Sequence, residues 1–167
     1  MKHKNIIIVG FMGTGKTAVG KAMAERLGWR FVDTDHYIES KQGTTISDMF
    51  RDLGEPAFRN MEGEAIAAVL EGSRQVVATG GGAVLAEHNR VCMQQEGYVV
   101  ALKAAPEVII NRVKQDEKRP LVQGDVKERV YSLLEARKHA YDFADLIIDS
   151  STASVEEIVE QVIDAIQ

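Results

Sequence analysis

The sequence has 167 residues, 45% hydrophobic and 27% charged, a length and balance that fit one globular domain and exclude a disordered or fibrous chain. With 25 acidic residues against 20 basic ones the formal charge is −5, and no Lys/Arg block stands out. That excludes a nonspecific nucleic-acid binder, and no nucleic-acid partner is expected. Cys92 is the one cysteine, which excludes an intramolecular disulfide and suits a reducing compartment. Met1 to Asn5 is short and polar and leads straight into an apolar run, without a charged leader or cleavage site. No segment approaches the ~18 consecutive apolar residues that a membrane helix needs. The expectation is a cytoplasmic protein with no membrane partner.

The first element is a strand at Ile6 to Val9. Gly10-Phe11-Met12-Gly13-Thr14-Gly15-Lys16-Thr17 follows and matches G-x-x-x-x-G-K-[ST]. A helix from Ala18 to Leu27, closed by Gly28, comes next. Phe31-Val32 is the second strand candidate, followed by Asp33-Thr34-Asp35. Pro56 sits just inside the start of a helix that Gly72 closes. Val76 to Ala78, Tyr98 to Leu102 and Leu146 to Ile148 complete the strand candidates. Ser154 with Glu157 forms a capping box before Ile158 to Ile166. Continuous apolar runs alternating with helices predict an α/β, three-layer fold with a five-stranded parallel sheet covered on both faces and right-handed crossovers. Between the fourth and fifth strands, Gln115 to Asp125 is polar, carries Pro120 and Gly124 and shows no period, so it reads as a loop.

The glycine-rich segment carries the strongest chemical signal, because it lies directly between a strand and a helix. Its glycines let consecutive N–H groups converge on phosphate oxygens, and the helix N-terminus adds its positive end. Gly13, Thr14, Gly15, Lys16, Thr17 and Ala18 are the expected ATP-binding residues, with Lys16 on the outer phosphates and the Thr17 hydroxyl on Mg²⁺. Motors, switches and kinases share such a cradle, so the acceptor has to be sought elsewhere.

Magnesium nucleotide sites of this type also use a carboxylate at the end of a neighbouring strand. Asp149, after Leu146-Ile147-Ile148, competes with Asp33-Thr34-Asp35, but a last strand ending in a turn residue has a simpler explanation. In extended chain, Asp33 and Asp35 project to one side. Asp33 is assigned to the magnesium shell, through water, and Asp35 to the acceptor hydroxyl as orienting group and base. The plain alternative is that both carboxylates cap the next helix.

The cradle, Asp33-Thr34-Asp35, Phe58-Arg59 with Glu62, Gly80-Gly81-Gly82 and Arg119-Pro120-Leu121 together resemble shikimate kinase over essentially the whole chain. The resemblance implies a single P-loop domain of the nucleoside-monophosphate-kinase-like fold, with a substrate-binding helical segment at about 34–63 and a lid at about 115–125. The implied activity is transfer from MgATP to the shikimate 3-hydroxyl in a monomer that binds only small molecules. By that resemblance Asp35 binds the shikimate hydroxyls and acts as base, and Arg59 and Arg137 hold its carboxylate. Gly80, Gly81 and Gly82 admit the ring, Arg112 stacks on adenine, and Arg119 closes over the phosphates with catalytic Lys16 and Asp35. Guanidinium pairing with carboxylate and close approach to glycine backbone suit these roles. The pattern departs from the family at His139, where relatives commonly have proline, so the helix carrying Arg137 is expected to run on past this point.

Three rivals share the cradle. A kinase for another hydroxy acid such as gluconate keeps the same parts. A nucleoside monophosphate kinase needs a second nucleotide site, for which no motif is present. An inactive nucleotide-binding module should have lost Asp35, Arg59 and Arg119.

Overall fold

A computed structural model describes residues 3–115 and 126–167. Its centre is a five-stranded sheet of β1 (Asn5–Gly10), β2 (Arg30–Asp33), β3 (Gln75–Ala78), β4 (Tyr98–Lys103) and β5 (Leu146–Asp149). The order is β2-β3-β1-β4-β5, with every pairing parallel. All five strand expectations hold, each extended by a residue or more at its ends. The inner strands β1 and β3 are buried along their full length. The edge strands β2 and β5 are partly exposed, with Ile147 of β5 45% exposed, so covering on both faces applies to the centre of the sheet and weakens at its margins.

The pleat sends alternate residues of β1 to opposite faces. Ile6 and Ile8 pack with Val19 and Met23 of α1 (Lys16–Leu27) and with Ile158 and Val162 of α8 (Val155–Ile166). Ile7 and Val9 pack with Ile66 and Leu70 of α4 (Glu55–Leu70) and Met93 of α5 (Glu87–Glu96). Helices α2 (Thr34–Gln42) and α3 (Ile46–Leu53) form a separate cluster on α4 through Ile38, Met49, Phe58 and Ala65. Helices α6 (Pro106–Lys114) and α7 (Val126–Ala136) pack Ile109, Val113 and Val130 against Phe11 and Met12. The second of these clusters sets α6–α7 directly against the glycine-rich loop.

The element ends follow their local chemistry. Gly28 closes α1 at φ 69°, returning its N–H to Ala24 and Glu25 carbonyls. Pro56 lies in the first turn of α4 and the Gly72 amide bonds back to Val69. The capping box predicted before α8 is formed, with both reciprocal bonds between Ser154 and Glu157.

Two expectations are corrected. Asp35 stands in the first turn of α2, capped by Asp33, and not in extended chain with it. Helix α7 does not run past His139; it ends at Ala136, and turns carry the chain from Arg137 to Phe143. The reversal lets buried Arg137 and buried Tyr141 face the same interior, and the side chain of exposed His139 pairs with Asp142 at 3.0 Å. Losing a proline constraint therefore does not extend the helix, because burial of the residues on either side fixes the turn.

Candidate active site

β1 delivers Gly10 into the loop that leads to α1. Gly13 and Gly15 hold φ of 76° and 96°, a region L side chains avoid, so both glycines are required by conformation. A Cβ on Gly10 would stand 2.5 Å from the Leu102 carbonyl oxygen, so there the requirement is also space. Lys16 donates to the carbonyls of Gly10 at 2.8 Å and Phe11 at 3.0 Å, lying back across its own loop. Thr14 donates from its hydroxyl to the same Phe11 carbonyl at 2.7 Å.

Beside this loop, β2 ends at Asp33. Its Oδ1 accepts from the amides of Asp35 at 2.9 Å and His36 at 3.4 Å, which makes Asp33 the N-cap of α2. The capping alternative is thus true of Asp33, and it does not remove Asp33 from the site. A cavity of about 190 Å³ is lined by Gly13, Gly15, Lys16, Thr17, Ala18, Asp33, Asp35, Gly80 and Gly81. A larger cavity of about 980 Å³ runs along the β2 edge, reaching the site only through Thr17 and Asp33; the smaller one is where the polar groups converge.

Asp35 is half-buried, and its carboxyl is pushed up to about 6. Burial is the main cause; the carboxylates of Asp33, Glu62 and Glu39 add to it, while Lys16 opposes. Asp149, the rejected competitor, is exposed at the far sheet edge, where its Oδ1 accepts from the Ser151 amide. It is a turn residue.

The loop after β3 places Gly80 against the acidic pair. A Cβ there would lie 2.8 Å from Asp35 Oδ1 and 3.1 Å from Glu62 Oε2. A Cβ on Gly82 would lie 2.7 Å from the Arg59 Cζ, and one on Gly81 would lie 3.8 Å from Arg137 Nη1. Arg59, on α4, pairs with Glu62 at 2.9 Å and with Glu55 at 3.4 Å. Glu62 is buried; burial raises its pKa, with Arg59 and then Arg137 opposing. Arg137 lies over the Phe11 ring, 5.6 Å from its centroid. Among the described residues, Glu62 Oε2 and Arg137 Nη1 are buried without a hydrogen-bond partner. Arg112, the final predicted contact, reaches the other end of the cradle, in a cavity of about 350 Å³ formed with Gly13, Thr14, Gly15, Ala18, Ser150 and the apolar Val19, Ala153, Val155 and Ile158.

The structure therefore brings Gly13, Gly15 to Ala18, Asp33, Asp35 and Gly80–Gly81 together around one cavity, sets Arg59, Gly82 and Arg137 beside its glycine wall, and places Thr14 and Arg112 at the opposite end. Arg119 and the lid lie outside the described residues. Two residues without a predicted role also belong here. Glu62 had a readable signal, its i,i+3 spacing from Arg59; Ser150 had none.

A strand–loop–helix phosphate cradle joined to a carboxylate-bearing cavity with two arginines beside its glycine wall defines a P-loop small-molecule kinase. The shikimate kinase family model matches residues 12–167. A shikimate kinase from Geobacter sulfurreducens is 46% identical over 160 residues, spanning 95% of this chain and 88% of that one. The structure of shikimate kinase from Acinetobacter baumannii in complex with shikimate superposes with a TM-score of 0.94 at 35% identity, covering 99% of this chain and 93% of that one. The chain belongs to the shikimate kinase family. A gluconokinase from Sinorhizobium meliloti, at TM-score 0.54 and 19% identity over 96% of this chain and 90% of that one, shares the fold alone.

Proposed function

We infer that the chain transfers the γ-phosphoryl group of ATP to the 3-hydroxyl of shikimate, giving shikimate 3-phosphate and ADP. The observation that carries this reading is the paired vacancy in hydrogen bonding at the acceptor end: a buried guanidinium nitrogen of Arg137 and a buried carboxylate oxygen of Glu62, both unpartnered among the described residues, beside Arg59 and Asp35. A ligand with one carboxylate and several ring hydroxyls satisfies both needs.

Arg59 and Arg137 hold the carboxylate, Glu62 and Asp35 accept from hydroxyls, and Gly80 to Gly82 let the ring lie against the backbone. Asp35 takes the proton of the attacking hydroxyl as its oxygen forms a bond to the γ-phosphorus and the bond to the β–γ bridging oxygen breaks. A carboxyl titrating near 6 is deprotonated at neutral pH yet still basic enough to share that proton. Lys16 and the amides of Gly13 to Ala18 face the phosphates, Arg112 faces the adenine end, and Arg119 is the cation over the phosphates.

Thr17 and Asp33 share the wall of the 190 Å³ cavity with Lys16, and one hydroxyl plus one carboxylate is the usual protein contribution to a Mg²⁺ site completed by phosphates and water. These residues fit the ion, and both bonds that hold Asp33 fall on Oδ1. When bound, Mg²⁺ would neutralise charge on the β- and γ-phosphate oxygens. Among the described residues no helix is long and apolar enough to cross a membrane. The protein acts as a monomer in the cytoplasm.

The test is ADP release with MgATP and shikimate, quinate, gluconate, AMP or no acceptor. Turnover with shikimate and not with the others supports it; turnover that prefers gluconate or AMP overturns the substrate assignment.

A further inference from the structure

The cradle is stitched from outside at two successive peptide groups. The Gly13 carbonyl accepts from Arg112 Nη1 at 2.8 Å. The next carbonyl, that of Thr14, accepts from the Ser150 hydroxyl at 2.7 Å. Ser150 is 3% exposed and Thr14 1%, so water does not compete for either group. Ser150 has a second acceptor in reach, the Lys103 carbonyl at 3.2 Å, which also takes the Ser150 amide at 2.6 Å. At 2.7 Å against 3.2 Å the Thr14 carbonyl is the better placed acceptor for the single hydroxyl proton. Arg112 Nη2 closes the set on the Ser150 carbonyl at 3.3 Å.

A trans peptide is planar with its C=O and N–H pointing in opposite directions. A carbonyl pinned outward, toward β5 and α6, therefore fixes the following N–H in the reverse direction. Pinning the Gly13 carbonyl fixes the Thr14 amide, and pinning the Thr14 carbonyl fixes the Gly15 amide. Gly13 and Gly15, both at positive φ, would otherwise let these planes swing freely. Phosphate binding by a cradle depends on such N–H groups already converging before the ligand arrives.

Resting on the kinase reading above, we propose that Ser150 is a positioning residue for phosphate: through the Thr14 carbonyl it aims the Gly15 N–H into the phosphate cradle, although Ser150 itself stands on the adenine-end wall. Its effect therefore travels with the triphosphate and not with the base. A serine that merely lined the nucleoside pocket would do the opposite.

The experiment measures ATP, inorganic tripolyphosphate and adenosine affinities by calorimetry for the wild type, Ser150→Ala and Ser150→Cys. The cysteine variant keeps a larger, weakly donating side chain in case the alanine variant is poorly folded, and shikimate affinity reports an intact acceptor site. Expected is a loss of roughly fivefold in both ATP and tripolyphosphate affinity, the size of one neutral hydrogen bond, with adenosine and shikimate unchanged. Loss of ATP and adenosine affinity with tripolyphosphate unaffected overturns the proposal, as does no loss at all. If tripolyphosphate does not compete with ATP on the wild type, the cradle reading itself falls, which is a separate outcome.

Discussion

Asp33 and Asp35 are joined by a hydrogen bond from the Asp35 amide to Asp33 Oδ1 at 2.9 Å, so the residue that caps α2 also fixes where the second carboxylate starts. The two acids stand close enough that Asp33 raises the pKa of Asp35, after burial the largest contribution. A shared cap thus produces one anchored carboxylate and one basic carboxylate from a three-residue segment.

Asp35→Asn preserves shape and removes the base. kcat should fall by roughly 10²- to 10⁴-fold, with ATP affinity retained because the cradle is untouched. In the wild type, kcat/KM for shikimate should decline as pH drops below about 6, where the carboxyl gains its proton. A pH–rate profile on the free enzyme that stays flat through pH 5 would contradict the assignment.

The same group makes a stability prediction of opposite sign. A carboxyl that rises from 3.8 to about 6 on folding binds its proton more tightly in the native state. Its stabilising contribution is present below the unfolded value and is lost as pH rises through the folded one, at a cost on the order of 3 kcal/mol at neutral pH. Asp35→Asn should therefore raise Tm at pH 7 and have little effect on it below pH 4. Thermal melts of both proteins at the two pH values measure this, and the trade of stability for a basic carboxylate is the pattern expected of a catalytic site.

The three glycines after β3 should separate by kinetic constant. None of Gly80, Gly81 or Gly82 has a positive φ, so their requirement is space for neighbouring groups and ligand. Gly80→Ala presses on Asp35 Oδ1 at 2.8 Å and should lower kcat by roughly 10- to 100-fold through misplacement of the base. Gly82→Ala presses on the Arg59 guanidinium, its Cζ at 2.7 Å, and should act chiefly on KM for shikimate. Steady-state kinetics on the two variants decides it; identical effects would mean that the loop moves as a block.

The sheet, the cradle and the capping of α1 and α8 were legible because each rests on local rules: apolar runs, glycine spacing and a serine–glutamate pair. The glycine triplet was legible as a place of close approach, but not the reason for it, since φ is not written in the sequence. The burial of Arg137 was not legible, since a helical arginine beside Glu135 is ordinarily solvated; it is 7% exposed because the chain turns at Ala136 and folds it over Phe11. Ser150 was illegible for a stronger reason. Its partner Thr14 is 136 residues away, and an ordinary serine in Ser150-Ser151-Thr152-Ala153-Ser154 carries no sign of a contact made only when β5 docks beside β4.

Arg59→Ala should raise KM for shikimate by roughly 10- to 100-fold, the value of a charge-assisted hydrogen bond, and leave KM for ATP unchanged. It should also destabilise the fold by about 2 kcal/mol, because Glu62, with a side chain 1% exposed, loses its 2.9 Å partner. Arg59→Lys should restore much of the stability and little of the affinity, since an ammonium cannot reproduce a planar fork. Denaturant melts beside kinetics separate the two effects.

Arg137 gives the last test, in which ligand and stability are linked. Its buried Nη1 has no partner among the described residues, a donor that shikimate would satisfy, while its charge also supports the buried Glu62 carboxylate. Arg137→Met keeps packing against Phe11 but removes that support, so the free variant should melt slightly below the wild type. Shikimate at 100 times its Kd should stabilise the wild type by about 2.7 kcal/mol. At that same concentration the variant should show little shift, because its affinity is lost. A variant that melts well below the wild type yet keeps the full shikimate shift would mean that Arg137 is a structural residue and that Arg59 alone holds the carboxylate.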